Sequence, residues 1–355
     1  MKWDNTDDAT RRVLEKSPLT DSTMPDVRLR PGMAANAAAR LILRSLLATM
    51  RANEEGIKAD ADIEFLHDYC VAVRRTRSAL SQIRNVFPPE RVEYFRREFR
   101  DLGRLTNDLR NLDVFLSAEA GYRAELPEDM REDITPLFDY LRARRAGALA
   151  GVVAGLESKP YGRLMAEWDA FLSRPIGKDP PRNALKPIIK LARARIDRQY
   201  HTILTDGAHV LSHSDDATFH ALRIECKKLR YLLEFFAELF PPRETASLLK
   251  ELKRLQDNLG AISDLSDRRD YLVSLAGVVD VDGVQMRRTM MAVGYLMETV
   301  AREQRAMKSG FAKTFREFAS PAHRKQFRRM MKQGAGRAIP GPRPAASSPR
   351  TRPSR

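Results

Sequence analysis

Apolar residues recur at every third or fourth position along most of the chain, which is the spacing that buries one face of an α-helix. Leu, Ala, Arg and Glu dominate these segments, and alternating strand-like runs are nearly absent. The pattern therefore predicts an all-α protein. We expect helices over about residues 32–53, 61–87, 89–118, 127–157, 159–173, 183–206, 216–240, 243–274, 283–308 and 311–331, with Pro321 as a candidate interruption of the last.

A Pro-rich segment over residues 174–182 divides the predicted helices into two sets. We expect one large helical domain over 31–330, built from a first half at about 31–173 and a second at about 183–330. Residues 1–30 are expected to form a poorly ordered extension. Residues 333–355, rich in Pro, Gly, Ser and Arg, are expected to form a basic disordered tail.

Two stretches of the chain resemble each other closely, 153 residues apart. Residues 66–89 read LHDYCVAVRRTRSALSQIRNVFPP, and residues 219–242 read FHALRIECKKLRYLLEFFAELFPP. The alignment needs no gap and pairs His67 with His220, Arg74 with Lys227, Arg75 with Lys228 and Arg77 with Arg230. Such a repeat predicts an internal duplication, with two helical bundles related by a pseudo-twofold axis.

The repeated helix is amphipathic, and its polar face is nearly all positive. At about 100° per residue, His220, Arg223, Lys227 and Arg230 share one side, opposite the leucines. In the first copy His67, Arg74 and Arg77 take that side, and Arg75 and Lys228 lie on the flank in their copies. A single stripe of this kind is most often solvated surface, but its repetition at the same offsets favours a bound anion.

The neighbouring helices carry further cations at helical spacing, which extends the predicted basic surface. We assign weaker predictions of anion contact to Arg40, Arg44, Arg104, Lys253 and Arg254. Successive stripe residues lie about 5–6 Å apart, which suits an elongated chain of phosphates better than a single one. Arginine offers forked donors and lysine a compact charge, so a mixed lining holds phosphates without reading a sequence.

The overall charge agrees with a polyanionic partner. The chain carries 62 Lys+Arg against 47 Asp+Glu, for a net charge of +15 in 355 residues. The tail has five Arg and no acid, and residues 1–30 are neutral, so about +10 belongs to the helical body. With only Cys70 and Cys226, no apolar stretch long enough for a membrane and no visible secretory signal, we expect a cytoplasmic protein.

The paired helices resemble the CHAD family, the conserved-histidine α-helical domain. His220 to Arg230 follows the pattern H-x-x-R-V-x-x-R-R-x-R closely, and the first copy keeps His67, Arg74, Arg75 and Arg77 but has Cys70 in place of an Arg. Arg110-Asn111-Leu112-Asp113 resembles the family's Arg-Asp-x-Asp segment.

This resemblance implies two four-helix bundles around a basic pocket or pore, binding of inorganic polyphosphate, and association with polyphosphate granules. It implies that the ligands are His67, Arg74, Arg75, Arg77, His220, Arg223, Lys227, Lys228 and Arg230.

Three other functions remain open from the sequence. Non-specific nucleic-acid binding is compatible with the charge, above all through the tail, although aromatic residues do not interleave with the cations. A metal-dependent phosphate-handling enzyme could use Asp113 and Asp264, but no catalytic motif is present. His209 and His213 have metal-ligand spacing, yet we predict no metal, no cofactor and no catalytic residue. The oligomeric state stays open.

Overall fold

Helices make up almost all regular structure in residues 27–213, 215–275 and 283–333, the part of the chain that the computed structural model describes. In these ranges no strand forms, and the β-pairing consists of one antiparallel bridge between Ala34 and Pro187. The all-α prediction is confirmed. No helix within the described ranges is apolar enough over a sufficient length to cross a membrane.

The helices follow one another through short connections in each half of the chain. The first half contains α1 (Ala35–Lys58), α2 (Ile63–Gln82), α3 (Pro89–Ser117), α4 (Glu119–Glu125), α5 (Thr135–Leu156) and α6 (Lys159–Ser173). The second half contains α7 (Ile188–Val210), α8 (Asp216–Phe235), α9 (Pro242–Leu275), α10 (Gly283–Phe318) and α11 (Pro321–Gln333).

The repeated sequence forms α2 and α8, and both helices begin in the same way. Asp62 caps α2 by accepting from the backbone N–H of Glu64, and Asp215 caps α8 by accepting from Thr218. In both copies the Phe-Pro-Pro segment does more than end a helix, because its last proline opens the next one, α3 or α9. Proline suits this position because its missing N–H would have no partner inside the helix.

Helix packing follows the same order in both halves. Helix α1 packs on α2, α2 on α3 and α3 on α5, while α7 packs on α8, α8 on α9 and α9 on α10. The halves meet where α2 contacts α8 directly. The internal duplication and the pseudo-twofold axis themselves stay predictions from the sequence.

The two halves share one hydrophobic core. Its largest cluster of buried residues runs from α1 to α11 and includes Trp168 of the first half and Tyr200 of the second. A second cluster lies where the ends of α3 and α5 meet those of α9 and α10, around Phe138 and Leu296. Burial of these side chains fixes the relative positions of α2 and α8, because each packs an apolar face into the shared core.

Several predicted helix boundaries are wrong. The helix ends expected at 53, 87 and 240 fall at Lys58, Gln82 and Phe235, and the helix start expected at 183 falls at Ile188. Two further errors are larger. The helix expected over 127–157 begins only at Thr135, after two short 3₁₀ turns, and the separate helix α4 precedes them. The break expected between residues 308 and 311 does not occur, since α10 continues to Phe318. Burial of Phe311 and Phe315 explains this continuation across Gly310. The interruption at Pro321 is confirmed as the start of α11.

The sequence also predicted a poorly ordered N-terminal extension over residues 1–30 and a disordered tail over residues 333–355. Residues 1–26 of the expected N-terminal extension and residues 334–355 of the expected tail lie outside the described residues.

Candidate anion-binding face

Helices α2 and α8 are joined by a buried ion pair. The Arg75 Nη2 atom donates to Glu234 Oε2 at 3.0 Å, and the two side chains are only 7% and 15% exposed. The Arg75 guanidinium also lies 5.9 Å from the ring centroid of Tyr231. Arg75, which the sequence placed on the flank of α2 as a ligand, is therefore part of the contact between the halves.

Three other cations of the two helices form the centre of a surface that we call the basic face. It consists of Arg74 and Arg77 of α2, Lys227 of α8, and the adjoining His67 and Arg110. Arg74 and Arg77 are exposed, and Lys227 is half-buried. Within the described ranges, no carboxylate oxygen lies within 4.0 Å of the charged nitrogens of Arg74, Arg77 or Lys227.

Cations of both halves act on Lys227. Burial is the main cause that lowers the pKa of this amine to about 8, and the positive charges of Arg223, Arg74 and Arg230 lower it further. Asp264 opposes them only in part. Since Arg74 belongs to the first half and Lys227 to the second, the basic face is shared between the halves, and its charges repel one another.

The basic face continues onto α3 through Arg77. Although Arg77 as a whole residue is exposed, partial burial of its guanidinium lowers the pKa of that group, and the charges of Arg100, Arg74, Arg96 and Arg104 add to this effect. Helix α3 comes close to Arg77 at Gly103, where a β-carbon would stand 3.5 Å from the Arg77 Nη1 atom. A row of positive charge therefore runs from α3 across α2 to α8.

The two motif histidines occupy different surroundings. His67 is half-buried, and burial together with the charges of Arg110 and Arg74 lowers the pKa of its imidazole. His67 is therefore neutral at pH 7 unless a bound anion restores its proton. His220 is exposed and lies close enough to Asp267 to lower the pKa of that carboxyl, which burial and Asp264 raise overall.

The remaining cations of α8 form ion pairs. Arg223 binds Asp264 of α9 at 2.8 Å, Lys228 binds Glu225 at 2.6 Å, and Arg230 approaches Glu234 at 3.3 Å. The polar side of α8 is therefore less uniformly positive than the sequence suggested. A polyanion would have to compete with these carboxylates.

The weaker predictions fall into two groups. Arg104 pairs with Asp101, Lys253 with Asp257 and Arg254 with Glu251, all on exposed helix surface. Arg40 and Arg44 instead donate to the last carbonyls of α6, those of Phe171 and Leu172, at 2.6 and 3.1 Å. Their donors stabilise the packing of α1 on α6.

Cys70 replaces a cation of the repeat pattern and changes its neighbourhood. The Cys70 Sγ atom lies 3.4 Å from the Thr106 hydroxyl, and burial raises the pKa of the thiol, so it stays neutral. In the second half, the equivalent Arg223 holds Asp264. In the first half, Asp113 of α3 binds Arg145 of α5 at 2.7 Å.

The two histidines with metal-ligand spacing lie together, and His209 is also near Asp206. The His209 and His213 rings stack at 4.2 Å between centroids near the end of α7. In the described part of the chain, no group of three or more His, Cys, Asp or Glu side chains is arranged to hold a metal ion.

Two solved structures resemble this fold, and a curated relative resembles part of this sequence. The CHAD domain from the plant Ricinus communis superimposes with a TM-score of 0.67 at 24% identity, covering 82% of this chain and 95% of that one. PptA from Streptomyces chartreusis gives a TM-score of 0.60 at 15% identity, covering 80% of this chain and 99% of that one. The uncharacterized protein MT2285 of Mycobacterium tuberculosis is 24% identical over 235 residues, which are 65% of this chain. The chain spans only 44% of that relative's length.

The two solved structures show that this all-α fold also occurs in other proteins. The family model of the CHAD domain matches residues 41–273, which include both copies of the repeated helix. The chain belongs to the CHAD family.

Proposed function

We propose that the protein binds inorganic polyphosphate along the basic face, without catalysing a reaction, and associates with polyphosphate granules through this binding. Membership of the CHAD family and the chemistry of the face both support the proposal. Phosphate oxygens accept charge-assisted hydrogen bonds from the forked donors of arginine and from the lysine ammonium. Such bonds are stronger than hydrogen bonds between neutral groups.

The observation that carries the proposal is the pair of Arg74 and Lys227. The two residues come from different halves of the chain, and the charge of Arg74 lowers the pKa of Lys227. Among the described residues, neither side chain has a carboxylate within 4.0 Å. Cations held this close without a counter-charge destabilise the folded protein. A bound anion removes the repulsion, so the arrangement favours an anionic ligand over water.

The extent of the basic face favours a chain of phosphates over one phosphate. Positive charge runs from Arg100 on α3 through Arg77 and Arg74 to Lys227 on α8, although Asp101 lies 3.8 Å from Arg100. The charges of Arg100 and Arg74 lower the pKa of Arg77, and the charge of Arg74 lowers the pKa of Lys227. A single phosphate could contact only part of this row. A linear polyanion can contact cations of all three helices at once.

The carboxylates near the face support binding rather than catalysis. Asp113 and Asp264, the acids that could assist a metal-dependent reaction, are held by Arg145 and Arg223. Paired in this way, they stabilise the helices that carry the basic face and do not gather around one reacting position.

A chain-length series with nucleic-acid competition tests the proposal. Affinity for polyphosphate should rise from orthophosphate to long chains and fall steeply with salt. Long polyphosphate should displace RNA efficiently at equal phosphate, and RNA should displace polyphosphate poorly. Removal of residues 334–355, with their five Arg, should weaken RNA binding and leave the chain-length preference unchanged. Equal affinity for orthophosphate and long chains, or a preference for RNA, contradicts the proposal.

A further inference from the structure

A small polar cavity opens between elements of the two halves, and neither Arg74 nor Lys227 lines it. It has a volume of about 180 Å³ and lies between the end of α2, the middle of α7 and α8. This volume is below the roughly 300–1,000 Å³ of pockets for drug-sized ligands. The cavity therefore suits a small ligand.

Cations dominate the walls of the cavity. Arg84 follows α2, Arg195 and Arg198 belong to α7, and Lys228 belongs to α8. Glu225 is the one carboxylate among the described residues that line it. Its oxygens already accept from Lys228 at 2.6 Å and from the Gln199 amide at 2.6 Å.

The arginines of the cavity form few hydrogen bonds to the described residues. Arg84 uses its Nε atom for the carbonyl of Ser81, and Arg195 uses its Nε atom for the carbonyl of Gln82. In the described part of the chain, no carboxylate lies within 4.0 Å of Arg84, Arg195 or Arg198. Burial and the charges of Arg84 and Arg198 lower the pKa of Arg195, so the three charges repel one another as on the basic face.

Acids in the surroundings leave an excess of positive charge. Asp206 lies near Glu225 and Lys228, and Asp197 faces His201 on the surface of α7. If the charges of Glu225 and Asp206 are balanced by Lys228 and one arginine, the other two arginines have no counter-charge among the described residues. Their four terminal Nη groups match the several oxygens of a phosphoryl group.

We infer that this cavity is a second site, which takes one or two phosphoryl groups as a compact anion such as orthophosphate or pyrophosphate. It uses neither Arg74 nor Lys227, so it does not require the proposed binding of a long chain. The same phosphoryl chemistry is offered by a free anion and by the end of a polyphosphate chain.

Calorimetric titration of the full chain with pyrophosphate tests the inference. In the variant Arg84→Gln/Arg198→Gln, affinity for pyrophosphate should fall about tenfold or more. Both side chains are exposed, so the fold should survive, which thermal melting checks. The control Arg287→Gln/Arg302→Gln removes the same charge from exposed positions on α10 and should keep the wild-type affinity.

A competition arm distinguishes the two sources of the phosphoryl group. Long polyphosphate and pyrophosphate are compared at equal numbers of chain ends in the variant Arg74→Gln/Lys227→Gln. If each polyphosphate chain end displaces one pyrophosphate, the cavity binds chain ends. If polyphosphate displaces no pyrophosphate, the cavity binds the free anion.

Three results would overturn the inference. They are no pyrophosphate binding by the wild type, unchanged binding by Arg84→Gln/Arg198→Gln, and an equal loss in the α10 control. Failure of the proposed function looks different: pyrophosphate would bind in the cavity while long polyphosphate showed no preference over orthophosphate.

Discussion

Arg75 of α2 donates a 3.0 Å hydrogen bond to the Glu234 carboxylate of α8, and both side chains are largely buried. Arg230 approaches the same carboxylate. This ion pair joins α2 to α8. In the described ranges, Arg74 of α2 and Lys227 of α8 have no carboxylate oxygen within 4.0 Å. One residue of the Arg74-Arg75 dipeptide thus holds the halves together, while the other presents its charge to the surface.

Removal of Arg75 should destabilise the protein more than it weakens anion binding directly. The variant Arg75→Ala leaves Glu234 with reduced compensation in a largely buried position, and we expect a loss of about 3 kcal/mol in the free energy of unfolding. Chemical denaturation measures it. The exposed pair Arg305–Glu298 offers the control, since Arg305→Ala should change stability by only about 0.5 kcal/mol or less. Equal losses in the two variants would show that the Arg75 pair does not join the halves.

Affinity for polyphosphate should depend on the protonation of Lys227. In the free protein its pKa is about 8, and a bound polyanion raises it by stabilising the charged amine. Affinity is therefore fully present below pH 8 and falls as the pH rises from 8 towards the ordinary lysine value. Titrations of a long chain between pH 7 and 10 measure this fall. The variant Lys227→Met should bind more weakly at pH 7 and show a flatter profile; an equally steep profile in that variant would assign the effect to another group.

The same amine should destabilise the free protein at neutral pH. Because its folded pKa lies below the unfolded value, the unfolded chain binds more protons between pH 8 and the ordinary lysine value, and stability rises with pH through that window. Without ligand, Lys227→Met should be more stable than the wild type at pH 7 by on the order of 1–2 kcal/mol after screening by solvent. The difference should narrow above pH 8. A less stable variant at pH 7 would indicate that Lys227 stabilises the fold.

The sequence predicted the all-α fold and the helices α2 and α8 that carry the centre of the basic face. This was possible because helical periodicity and the gapless repeat depend only on the order of residues along the chain. It also placed Arg74, Arg77 and Lys227 on one side of their helices. A helical wheel gives the direction of a side chain from its own axis. It does not include carboxylates from other helices, such as Asp264, which α9 brings to Arg223.

Two features of the structure depend on tertiary packing and could not be predicted from residue spacing along the chain. Arg110 joins the basic face because α3 packs on α2 beside His67, although the Arg110-Asn111-Leu112-Asp113 segment already resembled a family motif. The cavity around Arg195 combines residues more than a hundred positions apart along the chain. No local spacing relates Arg84 to Arg198.

The proposed binding of polyphosphate depends most on cations of the two halves acting together on one bound chain. Its most direct test is the affinity of long polyphosphate for Arg74→Gln/Lys227→Gln, measured beside Arg287→Gln/Arg302→Gln, which has the same net charge. We predict a loss of about tenfold or more for the first variant and about twofold or less for the second. Equal losses would mean that overall charge alone attracts the polyanion, and unchanged binding by the first variant would place the site elsewhere on the protein.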